Sequence, residues 1–265
     1  MPIIFDGKVF AKKKEDDLRK KVEDLKSRGI NPKLVSILVG ENSGSTLYTR
    51  LKKEAAERIG IEFEISSSLD DIEKLNADPK VHGIMVQMPL PEEFQSSEPE
   101  ILNSIKPQKD VDGLREGSAF LHPTSKAVIQ VIELTNEQSL TGPAGKKTDP
   151  VCVVVGATGI VGRPIVKQLK AKGYKVIECN TKTLDLKKET LKGDILVSVT
   201  GRAGLITKDM VKDGAVVIDV GYPAGDVEPE AGERASFVTP VPGGIGPVTI
   251  SCLLENLIEA CYNSH

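Results

Sequence analysis

The chain has only three histidines and four cysteines, and they are not grouped. Cys152, Cys179, Cys252 and Cys261 form no C-x-x-C pair and stand apart from the histidines. That excludes the ligand spacing of a zinc site and leaves the thiols as reduced, buried small hydrophobes, with no metal expected. Neither sign of charge dominates, since 35 Lys+Arg face 38 Asp+Glu. A polyanion-binding surface is therefore not expected, and the default partner is a small molecule rather than nucleic acid. Long apolar runs are missing as well. MPIIFDGKVFAKKKEDD has a few apolar residues ahead of a charge run, and VCVVVGATGIVG is broken by three glycines. Neither reads as a signal peptide or a membrane span, so a soluble, cytoplasmic protein without membrane contact is expected. There is no internal repeat beyond a β/α alternation and no low-complexity tract.

What remains is a chain of 265 residues, 39% apolar and 28% charged, enough for two domains of ordinary size. From Ala11 to Gly29, Leu18, Val22 and Leu25 recur at helical spacing ahead of a glycine stop. KLVSILVG (33–40) is a short apolar strand, and ENSGS (41–45) a turn leading to a helix that closes at Gly60. IEFEISSS (61–68) alternates like a strand, and VHGIMVQMPLP (81–91) reads as a buried strand ending in prolines. The polar stretch TNEQSLTGPAGKKTDP (135–150) reads as a domain junction. The alternation restarts with strands in 151–157, 174–180, 194–201, 215–221 and 236–243, a helix over about 160–172 and a last helix over about 249–262. Strands so continuously apolar are buried on both faces, which predicts a doubly wound parallel sheet. The fold class is α/β in two lobes, the second Rossmann-like.

VVVGATGIVGRP sets Gly156, Gly159 and Gly162 between a buried strand and a helix. Such a turn brings backbone N–H groups and the helix N-terminus against a pyrophosphate, although glycines there can also serve close packing alone. The next strand ends Cys179-Asn180-Thr181-Lys182-Thr183. Hydroxyls and a lysine suit a 2′-phosphate better than a carboxylate does, so NADP is favoured over NAD, with Glu178 as the residue that could reverse the preference.

In LYTRLKKEAA, Tyr48 and Lys52 lie one helical turn apart. A Y-x-x-x-K pair also occurs in short-chain dehydrogenases, but there it follows the glycine loop within the same domain. Here it precedes that loop by about a hundred residues, which argues against that family. The bare reading leaves a reactive pair and a charged surface helix both open.

The segments SGSTLYTRLKKEAAERIGI, VHGIMVQMPLP, KDVDG, VVVGATGIVGRP, VIDVG and TPVPGGIGPVT together resemble, nearly end to end, the bifunctional methylenetetrahydrofolate dehydrogenase/methenyltetrahydrofolate cyclohydrolase family, the FolD family. The resemblance implies NADP-dependent oxidation of 5,10-methylenetetrahydrofolate to the 5,10-methenyl cation, followed by hydrolysis to 10-formyltetrahydrofolate. It also implies a homodimer with an active-site cleft between the lobes, serving one-carbon supply to purine, methionine and histidine biosynthesis. The folate domain would span 1–130 with the helix 249–265 returning to it, and the nucleotide domain 131–248.

By the same resemblance Lys52 is the general acid/base, with Lys53 a solvated neighbour and Tyr48 stacking on or hydrogen-bonding the folate. Gln87, the odd polar residue of VQMPLP, holds Lys52 or the leaving oxygen. Asp112 accepts paired hydrogen bonds from the pterin, with Asp110 as its nearby alternative. Val86, Met88, Pro242, Gly243, Gly244, Ile245 and Gly246 complete the substrate contacts. Gly156, Ala157, Thr158, Gly159, Gly162, Thr181, Gly221 and Tyr222 are implied to meet the cofactor. Two stretches depart from the family pattern. LREGSAFLHPTSKAVIQ after KDVDG is shorter than usual and carries His122-Pro123-Thr124-Ser125-Lys126-Ala127 where relatives commonly show Pro-Cys-Thr-Pro-x-Gly. Ala157-Thr158 stands where many carry Arg-Ser. A dehydrogenase with weakened cyclohydrolase activity and a non-catalytic folate- or nucleotide-binding protein are the rival readings.

Overall fold

The computed structural model describes residues 1–40, 43–139 and 150–264. Most of the expected junction at 135–150 and the first two residues of the ENSGS turn lie outside the described residues. The chain separates into two compact units, one of residues 11–123 with 250–265, the other of residues 1–10 with 124–249.

The first unit is built on a three-stranded parallel sheet, ordered β3-β2-β4. It contains most of α1 (Gly7–Ser27), then β2 (Lys33–Ile37), α2 (Ser43–Arg58), β3 (Glu62–Ser66), α3 (Asp71–Ala77), β4 (Gly83–Val86), α4 (Glu92–Gln95) and α5 (Glu98–Ser104). Because side chains alternate across a strand, the sheet has two cores. Leu34, Phe63 and Met85 share one face with Leu18, Val22 and Leu25 of α1, Ala55 and Ala56 of α2, Ile59 just after it, and Leu253, Leu254 and Leu257 of α10 (Ile245–Asn263). Val35, Ile37, Ile84 and Val86 turn the other way, onto Ile72, Leu75, Leu102 and Ile105. At the open end of β2, Lys33 stands opposite Glu62 and its Nζ reaches Glu62 Oε1 at 2.8 Å and Glu64 Oε2 at 2.7 Å, a cross-strand clamp on the register. Gly83 lets α10 approach, since a Cβ there would lie 2.6 Å from Leu257 Cδ1.

The second unit carries a six-stranded, all-parallel sheet in the order β1-β9-β8-β7-β5-β6. Its strands are β1 (Ile3–Ile4), β5 (Val151–Val155), β6 (Lys175–Cys179), β7 (Ile195–Ser198), β8 (Val216–Asp219) and β9 (Phe237–Val238), with α6 (Pro123–Ser139), α7 (Gly162–Ala171), α8 (Leu186–Thr190) and α9 (Pro229–Gly232) around them. The order reverses at β5, where β6 lies on one side and β7 on the other. In open α/β sheets such a switch point opens a crevice beyond the strands' carboxyl ends.

The N-terminus corrects the expected division. MPIIF does not open the first unit; Ile3 and Ile4 pair with Phe237 and Val238 at the edge of the second unit's sheet, and the Phe5 and Phe237 ring centroids stand 5.6 Å apart. A two-residue strand is too short to show alternation, so no sequence signal announced it. Residues 135–139, read as junction, are the last residues of α6, and α10 begins at Ile245 rather than near Thr249. No helix among the described residues is long and apolar enough to cross a membrane.

Candidate active site

α2 turns Thr49, Lys52 and Ala56 inward at helical spacing, so Lys52 enters the core at 8% exposure while Lys53 points out and pairs with Glu57 at 3.8 Å. Lys52 Nζ donates to Gln87 Oε1 at 2.9 Å, and Met85 Sδ lies 3.9 Å away. Gln87 follows β4 on the same strand face as Met85, and its Nε2 donates to Met88 O at 2.9 Å, which fixes the amide with its oxygen toward the amine. Burial pushes the Lys52 ammonium below its ordinary pKa, an effect partly opposed by the negative charge of Asp112. An amine so placed is a usable base and, once protonated, a usable acid. Tyr48 lies one turn earlier and stays half-buried. Two more hydroxyls enter this core, Ser36 Oγ beside Met85 in register and Thr49 Oγ1, both buried with no hydrogen-bond partner among the described residues.

The two aspartates of KDVDG have different employment. Asp110 is 1% exposed and accepts the N–H of Arg115 at 3.1 Å and of Leu114 at 3.5 Å, so it caps its own loop. Burial raises its pKa, and the neighbouring charge of Asp112 adds to that rise. Asp112 is half-buried, and its charge is felt at Lys52, which makes it the carboxylate on hand for a ligand. Val86 and Met88, expected among the substrate contacts, turn into the opposite core with Ile37 and Ile84, so only their backbone is available beside Gln87.

In the second unit, three glycines of one motif have separate roles. A Cβ on Gly156, whose φ is +90°, would lie 2.5 Å from Val199 O, and one on Gly162 would lie 2.1 Å from Gly156 O. These two are required by the turn itself. A Cβ on Gly159 would meet only Gly156 O, at 3.4 Å, so this glycine keeps the outer face of the turn open where α7 begins. Thr158 is exposed beside it, whereas Ala157 is 1% exposed and donates its N–H to Cys179 O, which removes its side chain from the cofactor contacts expected of it. Beyond β6, Asn180 N donates to Thr183 Oγ1 and Lys182 N to Asn180 Oδ1, a turn that leaves Thr181 and Lys182 exposed. Glu178 instead holds Lys170 Nζ at 2.6 Å.

Gly221 donates its N–H to Asp219 Oδ1 at 2.8 Å, and a Cβ on it would strike Asp226 N at 2.4 Å, so its glycine character is structural. Tyr222 next to it is half-exposed. In TPVPGGIGP, Gly243 has φ +103°, Gly244 packs on Pro240 O, and Ile245 is buried at the head of α10. Sequence reasoning overlooked Gly7, although a Cβ on it would lie 1.8 Å from Gly244 O. It also overlooked Met85, which alternation from Gln87 could have found. This 242–246 loop and the Lys52 cluster belong to different units.

Residues 5–112 match the tetrahydrofolate dehydrogenase/cyclohydrolase catalytic domain, and residues 123–265 match the NAD(P)-binding domain of the same family. The chain belongs to the tetrahydrofolate dehydrogenase/cyclohydrolase family. The bifunctional protein FolD of Bacillus subtilis is 41% identical over 283 aligned residues, covering 97% of this chain and 96% of its own length. The FolD protein of Moorella thermoacetica is 39% identical over 97% of this chain and 98% of its own. Among solved structures, the FolD methylenetetrahydrofolate dehydrogenase/cyclohydrolase of Campylobacter jejuni superposes with a TM-score of 0.90 at 36% identity, covering 99% of both chains. The Trypanosoma brucei FolD, solved with NADP and an inhibitor, has a TM-score of 0.89 at 30% identity over 99% of this chain and 98% of its own.

For a member of this family the β5–α7 turn is the cofactor site to test, and its stereochemistry fits a dinucleotide. Backbone occupies the inside of the turn, Gly159 is exposed, and the turn joins β5, at the switch point of the sheet, to the N-terminus of α7. None of the four cysteines is in a disulfide and all are buried, with burial pushing the Cys152 and Cys261 thiols up to about 12. They are inert packing groups in this dehydrogenase/cyclohydrolase.

Proposed function

We propose that Lys52 is the acid/base group of a bifunctional one-carbon folate enzyme that oxidises 5,10-methylenetetrahydrofolate to 5,10-methenyltetrahydrofolate and hydrolyses it to 10-formyltetrahydrofolate. The observation carrying this reading is a buried amine, lowered in pKa by burial, held by Gln87 Oε1 at 2.9 Å. NADP, when bound, accepts the hydride from the one-carbon bridge. The chain's own residues do the rest. Neutral Lys52 takes a proton from the water that attacks the bridge carbon, and the ammonium so formed returns it to the departing nitrogen. Gln87 keeps the amine aimed by accepting one of its N–H bonds, and Asp112 binds the pterin's amino edge while favouring the ammonium once it forms. Tyr48 lies against the folate ring and spaces it from Lys52.

The unit of residues 11–123 with 250–265 is then the folate-binding one, and residues 124–249 hold the dinucleotide. Engagement of Glu178 by Lys170 removes the acid that would select NAD, and exposed Thr181 and Lys182 favour a 2′-phosphate, so NADP is the preferred form. We further infer, from the family resemblance of the sequence motifs alone, a homodimer working in the cytoplasm for purine, methionine and histidine synthesis, a state that light scattering tests. The deciding experiment follows NADPH at 340 nm from methylenetetrahydrofolate and, separately, the decay of the methenyl product. Lys52→Met is expected to lower hydrolysis by roughly 10²- to 10⁴-fold. Hydrolysis at the parent rate in that variant rejects the role given to Lys52.

A further inference from the structure

Hydrolysis of the methenyl cation has a proton left over. Water oxygen bonds to the bridge carbon, the carbon–N5 bond breaks, one water proton ends on N5, and the second must leave because a cation has become a neutral formyl product. Lys52 can serve the first proton, but it is only 8% exposed and tied to Gln87, so it is badly placed to exchange the second with bulk water.

A second titratable side chain, His122, keeps intermediate exposure and lies within electrostatic reach of that amine. Asn256 of α10 donates from one Nδ2 to Val111 O and to Leu121 O, each at 2.9 Å, so the residues that follow, Asp112 and His122, are brought side by side. Gly113 completes the approach. Its φ is +66°, and a Cβ there would lie 2.7 Å from His122 N, so only glycine lets the two strands of the loop touch. His122 keeps intermediate exposure. The charges that reach its ring are Asp112 from its own loop and Lys52 from α2. α10 presents the neutral amide of Asn256, and the first charge along α6 is Lys126.

We propose that His122 is the proton exit of the hydrolytic site, accepting the second water proton as the carbinolamine collapses and passing it to solvent. Burial pushes the imidazole pKa down, which favours the neutral form that can accept, with Asp112 assisting its protonation and Lys52 opposing it. The proposal rests on the reading of Lys52 as acid/base, and failure of each shows differently.

The experiment measures cyclohydrolase kcat across pH at low buffer concentration, with and without added imidazole, for the full-length protein, His122→Asn and His122→Gln. Loss of an internal carrier is expected to lower kcat by roughly 10²-fold, the low end of the range for a positioned proton acceptor. The loss should fall on hydrolysis more than on NADPH formation, and millimolar imidazole should restore it. A variant that hydrolyses at the parent rate, or a loss that imidazole does not restore in a variant with an unchanged thermal midpoint, overturns the proposal. The unsubstituted enzyme gives an independent reading: its kcat should be insensitive to imidazole, and a rate that climbs with it means no internal carrier exists. Retained hydrolysis in Lys52→Met would instead remove the reading beneath.

Discussion

In the unit built on the three-stranded sheet, a single amine carries the proposed chemistry, and its lowered pKa comes from the apolar core into which α2 turns it. In the unit built on the six-stranded sheet the corresponding features are glycines, and what matters is the side chains they lack. The contrast separates two kinds of vulnerability. A buried charge is a thermodynamic burden that the protein would shed if the residue were apolar, whereas a glycine required by its turn has no tolerated substitute.

The sharpest test of this contrast is within one motif. Gly162→Ala would put a Cβ 2.1 Å from Gly156 O, and a loss of roughly 3 kcal/mol or more in unfolding free energy is expected from such a backbone clash. Gly159→Ala, with its nearest contact at 3.4 Å, should leave stability within about 0.5 kcal/mol, the range of substitutions that disturb no contact. It should still weaken NADP by roughly tenfold, about 1.4 kcal/mol in binding. Denaturant melts and fluorescence titration of the two variants check both. Equal stability losses would erase the distinction between the glycines.

The counterpart in the other unit is a gain. Because burial lowers the Lys52 pKa below 10.5, the unfolded chain binds a proton between the folded value and 10.5 that the native chain has lost. Stability from this group therefore rises with pH across that window and is lowest below it, where both states carry the charge. Lys52→Met should melt higher than the parent at pH 7 by a few degrees, with roughly 2–4 °C expected per kcal/mol in a chain of this size. The difference should shrink as pH climbs toward 10.5. A gain that is flat with pH would point to packing of the methionine instead. The smallest effect belongs to Glu178→Gln, which breaks an ion pair whose partners are about half exposed and should change stability by at most about 0.5 kcal/mol. The ratio of kcat/KM for NADP over NAD should stay within about twofold of the parent's, because Lys170 already holds this carboxylate. A larger swing would make Glu178 a reader of the ribose.

Much of this was legible from residue order. The apolar strands and the helix stripe ending at Gly29 follow from periodicities of 2 and 3.6, whereas the different fates of Lys52 and Lys53 came only from the family resemblance. Other features were hidden for physical reasons. β1 is two residues long and exists only because β9 offers it an edge. Gly7 is explained by a carbonyl more than two hundred residues away, and Asp110 and Asp112 look alike until one is seen capping its own loop. Alternation is what demotes Val86 and Met88, and that rule was available from VQMPLP before any coordinates. His122 looked like a mere departure from pattern, since its meaning lies in a contact with Gly113 and in the tie made by Asn256.

That tie has an evolutionary side. Asn256 grips the carbonyls of Val111 and Leu121, so the chain between them is a loop whose ends are clasped independently of its length. Doubling such a loop costs only about 0.6 kcal/mol in closure entropy. The segment can therefore lengthen or shorten between lineages while the residues flanking the clasp keep their places, and the one side chain least free to drift is an amide on the last helix, far along the chain from the loop it governs.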